Sequence, residues 1–321
     1  MAAAVAVVAG MGQPRPAAPA SGVSVPVQAA NAAPVTMSPV LVVSRGTTYR
    51  YDPSDGIVWP QGLPRGAKAQ LSFGLAGGST VVVATDRLGR PTAYYLHNGH
   101  TRSLGPAETA VRSVNRRSVW LVNRDVARSV DTSGNTGQER LVIPAGCVLV
   151  GANGRGLIVT GASGLLPGHI WVLTHGRAPH LLVAGRAVAV TEHRVLVARG
   201  NSLSLVGFDR RVVQRLPWPS ALVASGPGSL SPDGRSYALI ARTAGRERLV
   251  VGLLLGRTPR QPNVIPLDGG RFRATPAPAW VARGTVVAVR PDGKLVAYMR
   301  GRPHGWLLSD GPKAVTALAS I

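Results

Sequence analysis

The chain repeats itself about every forty residues. Segments of similar shape begin near Ala69, Thr109, Cys147, Ala187, Gly228 and Ala277, at successive offsets of 40, 38, 40, 41 and 49 residues. Each holds several short apolar runs divided by Gly, Asn, Asp or Pro. A unit of about four short strands cannot bury its own faces, so it must stack on copies of itself. Four strands at a period near forty are the mark of a β-propeller.

The runs read directly as strands. Residues 79–85 are STVVVAT, 118–123 SVWLVN, 157–160 LIVT, 195–198 VLVA and 237–241 YALIA. Asn98-Gly99 stands between two such runs, and both central residues of a type I′ hairpin need φ > 0. Ser231-Pro232-Asp233-Gly234 precedes SYALIA, and Arg290-Pro291-Asp292-Gly293 precedes LVAYM. In these turns Pro presets φ, Asp bonds its own backbone and Gly takes the left-handed position. Residues 279–284, before TVVAV, fit the same slot as 229–234.

Residues 228–241, and less closely 278–301, resemble the WD40-like, TolB-type propeller repeat, in which Ser-Pro-Asp-Gly leads into an apolar strand. The middle units match in spacing but lack that tetrapeptide. The resemblance implies a propeller over roughly residues 38–321, of a kind met in exported bacterial proteins. Its motif is structural, so it implies a fold and no activity.

The ends predict how the ring closes. Residues 39–44, 47–52 and 57–59 supply three strands without a first, and residues 314–320 (AVTALAS) supply one strand with no unit after it. Together they make a seventh blade from both termini, hiding otherwise open edges. The expected fold is therefore all-β, a seven-bladed propeller of four-stranded antiparallel sheets. Six blades is the alternative. Residues 1–37 read as a signal-like apolar segment, 2–12, followed by an Ala/Pro-rich linker, without a basic region ahead of it. This predicts an exported or cell-envelope protein, with the cytoplasm as the alternative. The single cysteine, Cys147, excludes an internal disulfide and reads as a small core residue in a first strand.

The net charge is +22, carried by 36 basic residues against 14 acidic ones. Arginines occur in every unit, without a dense cluster, interleaved aromatics or a nucleic-acid-binding motif. Such a field attracts anionic partners, so the expected partner is a protein or an anionic polymer or membrane surface rather than a specific nucleic acid.

Motifs for catalysis are missing: there is no G-x-S-x-G, H-E-x-x-H, Walker loop or dinucleotide fingerprint. No catalytic, cofactor-binding or metal-binding residue is assigned. Residues 52–59 depart from a sialidase Asp-box at Val58 and read as a hairpin turn. His97 and His100 flank a hairpin and could face each other, but zinc needs further ligands. Glu108 and Glu192 lie near the starts of two units, where first strands line a central channel. Tryptophan recurs about once per unit, which suits packing between blades. Trp218, between two prolines, is the one expected to be exposed. Glu108, Glu192 and Trp218 are thus the candidate channel or loop contacts. The expected function is a non-catalytic binding or scaffold propeller. The alternative is a metal-dependent propeller lyase or lactonase with its site in the channel.

Overall fold

The computed structural model describes residues 37–161, 165–254, 260–267, 275–300, 302, 304–308 and 310–321. The expected signal-like segment lies outside these residues apart from Met37, which is buried and donates its N–H to Ser54 Oγ at 2.8 Å.

The chain forms β1 (Val40–Ser44), β2 (Thr47–Tyr51) and β3 (Val58–Pro60), then a second blade of β4 (Lys68–Gly74), β5 (Thr80–Thr85), β6 (Pro91–His97) and β7 (His100–Pro106). The third blade holds β8 (Thr109–Arg112), β9 (Ser118–Asn123), β10 (Val126–Asp131) and β11 (Thr136–Val142). The fourth holds β12 (Val148–Asn153), β13 (Gly156–Thr160), β14 (His169–Leu173) and β15 (His180–Ala184). In the fifth are β16 (Arg186–Val190), β17 (Arg194–Arg199), β18 (Ser202–Gly207) and β19 (Val212–Leu216). In the sixth are β20 (Val223–Leu230), β21 (Ser236–Thr243), β22 (Arg246–Leu253) and β23 (Asn263–Pro266). The seventh holds β24 (Ala279–Ala282), β25 (Thr285–Val289), β26 (Leu295–Met299) and β27 (Trp306–Leu307). The last strand, β28 (Val315–Ser320), pairs antiparallel with β1, Val40 opposite Ser320, and completes the first blade in the order β28-β1-β2-β3. Seven four-stranded antiparallel sheets result, and the six-bladed alternative is excluded.

The second strand of each blade is its core. β5, β21 and β25 are buried almost along their whole length, because a neighbouring blade covers each of their faces. This is why the sequence shows apolar runs there rather than alternation. Outer strands such as β11 are largely exposed. One apolar cluster fills each junction between blades. Tyr51, Val287 and Leu318 meet at the seventh-to-first junction, and Val82, Tyr94 and Ala317 at the first-to-second. Five further clusters fill the other junctions. The tryptophans follow this plan. Trp120 and Trp280 are buried, and Trp171, Trp218 and Trp306 pack against junction clusters. Trp59, on β3, is the exposed one. Cys147 packs against the third-to-fourth junction from the residue before β12, not from within a first strand.

First strands of successive blades lie side by side around the axis, and Ser113, just past β8, forms a parallel bridge with Ala152. With antiparallel order inside every blade, turns joining first to second and third to fourth strands fall on one face. We call this the hairpin face. Second-to-third turns and the links between blades fall on the other, the connection face.

Turn chemistry behaves as its residues dictate. Asn98 and Gly99 both have positive φ, 48° and 77°. Gly234 and Gly293 have φ of 64° and 80°, and Asp233 and Asp292 accept N–H bonds from Arg235 and Lys294, each at 3.1 Å. The two Pro-Asp-Gly turns differ in place: 231–235 joins β20 to β21, whereas 290–294 joins β25 to β26. They therefore stand on opposite faces.

Candidate functional site

The central channel is the place where seven strands could bring functional side chains together, and β8 carries its most unusual group. Arg112 ends β8 and reaches sideways across β4 to β28. Its Nη1 donates to Gly74 O at 3.1 Å and also to Ser320 O, and its Nη2 donates to Ser320 Oγ at 3.1 Å. Arg116, in the following turn, donates to Ile321 O. Burial first, and then the nearby charge of Arg116, push the Arg112 guanidinium down to about 10, so it stays charged at neutral pH. Its bonding partners are carbonyl and hydroxyl oxygens. The pair thus clasps three consecutive first strands at the hairpin-face end of the channel.

A second desolvated arginine, Arg186, opens β16 at the connection-face end. Its Nη2 donates to Ala224 O and its Nη1 to Gly226 O at 3.4 Å. These carbonyls lie where β20 bulges between Ala224 and Gly228. Burial lowers the pKa of Arg186 as well.

The carboxylates expected in the channel do not meet. Glu108 precedes β8 and is exposed, and its Oε2 accepts the Arg124 N–H at 3.2 Å, in the β9–β10 turn on the connection face. Glu192 follows β16 rather than preceding it, in the turn to β17 on the hairpin face. Its Oε2 accepts the Gly154 N–H at 3.2 Å, and its carbonyl accepts Asn153 Nδ2 at 3.3 Å. The two stand at opposite ends of the ring. One caps a turn, and the other pins the fourth blade to the fifth. Trp218 is half-buried rather than exposed: its Nε1 donates to Leu222 O at 2.8 Å and its ring packs on the fifth-to-sixth junction.

Histidines are likewise dispersed. His97 and His100 face each other across their hairpin, as expected. His169, His175 and His180 turn to different partners, namely Pro167 O, Arg140 O and the Arg210 guanidinium. Among the described residues, no three His, Cys, Asp or Glu side chains come together as a metal site.

Seven aspartates are instead used in turns. Asp52, Asp55, Asp86, Asp131, Asp209, Asp233 and Asp292 each accept a backbone N–H within their own loop. Glu247 is buried, faces Arg242 Nη2 at 3.7 Å and accepts the Thr275 hydroxyl. Sequence reasoning missed Arg112 and Arg186, since nothing in their spacing marks partners that lie far along the chain. Two clefts, one at the 86–90 turn and one at the 290–294 turn, open on the connection face and had no sequence signal either.

No protein-family model matches the chain, and no curated protein is similar to it in sequence. Its likeness is to solved structures. A proposed 6-phosphogluconolactonase from Bacteroides fragilis superposes with a TM-score of 0.56 at 14% identity, over 91% of this chain and 100% of that one. TolB from Acinetobacter baumannii gives 0.53 at 14%, over 88% and 66%. Kluyvelomyces marxianus Hsv2 gives 0.53 at 11%, over 83% and 91%. At these identities the likeness is one of fold.

Proposed function

We propose that this chain is a non-catalytic binding propeller whose ligand is anionic, either a small anion-bearing molecule or a protein with an acidic surface. The observation that carries this reading is the unequal use of charge. Seven aspartates are held by backbone N–H bonds of their own turns, while guanidinium groups stand exposed on both faces, Arg117, Arg155, Arg210 and Arg235 on one and Arg45, Arg65, Arg87 and Arg124 on the other. A surface with its negative charge tied down draws anions from a distance. The apolar run of residues 2–12 supports export to the cell envelope, which mass spectrometry of the native N-terminus tests.

The alternative, a metal-dependent lyase or lactonase, draws on the resemblance in fold to proposed 6-phosphogluconolactonases. It needs carboxylates converging in the channel, and Glu108 and Glu192 stand at its opposite ends. A lactone-hydrolysis assay with added divalent metal separates the readings. We expect no turnover above the uncatalysed rate. Metal-dependent turnover that Glu192→Gln abolishes would overturn the binding reading.

A further inference from the structure

The two clefts on the connection face occupy matching places in two blades. Each lies beside a turn joining a second strand to a third, against a link between blades. In the seventh blade the cleft measures about 310 Å3, and the cations of its turn already face a carboxylate. Asp292 Oδ2 lies 3.4 Å from Arg290 Nη2 and 4.0 Å from Lys294 Nζ.

The second blade differs. Its cleft measures about 350 Å3 and is lined by Arg65, Asp86, Arg87, Leu88, Arg90 and Tyr94, with Pro64 beside them. Asp86 is turned to its own loop. Its Oδ1 accepts N–H bonds from Leu88 at 2.8 Å and Arg90 at 2.9 Å, and its Oδ2 accepts Arg90 Nε at 3.2 Å. The Arg90 backbone bond foremost, with the others, holds its carboxyl below the usual range. It therefore has little left to offer Arg65 and Arg87. Neither of these makes a hydrogen bond or ion pair among the described residues. One comes from the link into β4, the other from the β5–β6 turn, and both face the same space.

We propose that this cleft binds a phosphate monoester group, which names the ligand class within the anion-binding reading on which it rests. A guanidinium presents paired N–H donors that match the oxygens of phosphate. Asp86 takes a single side-chain N–H of Arg90, from Nε, and does not reach Arg65 or Arg87. Two further forks converging from separate segments need an anion with more oxygens and a second charge. Phosphate monoesters supply both. Tyr94, 7% exposed, forms the floor, and Leu88, 69% exposed, forms an apolar lip for a short carbon skeleton. The volume is at the small end of ligand sites, so it suits a phosphorylated small molecule or a lipid headgroup.

The test titrates full-length protein with inorganic phosphate and glycerol 1-phosphate by calorimetry at fixed ionic strength. A parallel arm measures sedimentation with vesicles containing phosphatidic acid or phosphatidylcholine alone. Arg65→Gln/Arg87→Gln is compared with wild type and with Arg290→Gln in the matched cleft, after thermal melts show that all are folded. We expect saturable 1:1 binding by wild type and Arg290→Gln, and about tenfold or greater weakening in the double variant. Binding of the soluble monoester identifies a free solute as the source. Binding confined to phosphatidic acid vesicles, and lost in the double variant, identifies a headgroup. If anions bind but the double variant matches wild type, this site is overturned while the broader reading stands. If no anion binds even at low salt, both fall.

Discussion

Gly234 and Gly293 share a Pro-Asp-Gly sequence but not surroundings. Both take positive φ, where an L side chain is strained by about 1–3 kcal/mol. A Cβ on Gly234 would meet open space, whereas on Gly293 it would lie 2.7 Å from Ala314 Cα, at the link into β28. Gly234→Ala should therefore cost about 1 kcal/mol, and Gly293→Ala clearly more. Urea denaturation of both variants checks the order, and equal losses would show that backbone strain alone decides. These glycines were legible because a turn is local: Pro, Asp and Gly act within five residues. Arg112 was not, because its acceptors Gly74 and Ser320 lie 38 and 208 residues away. Glu192 misled for a related reason. Its position near a repeat start was visible, but the first strand ends at Val190 and puts Glu192 in the turn to β17, where it bonds Gly154 of the preceding blade.

Among the elements, β28 has the greatest consequence. Val315, Ala317 and Leu318 are buried, and β28 pairs with β1 while packing beside β4 and β24. Deleting residues 315–321 removes these groups, the ladder to β1 and the Ser320 and Ile321 acceptors of Arg112 and Arg116. Burial of the valine and leucine side chains alone is worth about 1.5–3 kcal/mol each. The truncated protein should melt far lower than the full chain, or fail to fold, by circular dichroism. A truncation that melts like the full-length protein would mean the ring does not depend on this closure. Second strands were the easiest elements to read, since two apolar neighbours force an unbroken apolar run. Outermost strands such as β23 and β27 are short and half-wet, so their pattern is weak. In the sixth blade the first strand starts at Val223, earlier than the repeat suggested. Ser225, Gly226 and Pro227 sit in its bulge and hide the start.

At the scale of the whole molecule, pH and salt act on different parts. Tyr51, Tyr237 and Tyr298 are buried in junction clusters. Burial, then the charges of Asp310, Asp52 and Asp55, push the Tyr51 phenol up to about 12, and burial raises Tyr237 and Tyr298 too. The folded state then holds these protons more tightly than the unfolded chain, whose phenols titrate near 10. Their contribution is complete below about pH 10 and is lost as pH rises through the folded values. Denaturant midpoints should fall from about pH 10 to 12, and Tyr51→Phe should flatten that fall. A midpoint independent of pH in this window would refute the assignment. The ring, its closure and its turn chemistry could all be read from a period and a few tetrapeptides. The clefts could not, because each joins a turn to a link between blades that comes beside it only once the strands between them have paired. The most direct measurement of the functional account is binding of the full chain to polyphosphate across a salt series. Affinity should fall at least tenfold between about 50 and 200 mM salt, while an uncharged polymer should not bind at any salt. Affinity that is flat across the series, or no binding at the lowest salt, would contradict an anion-binding propeller.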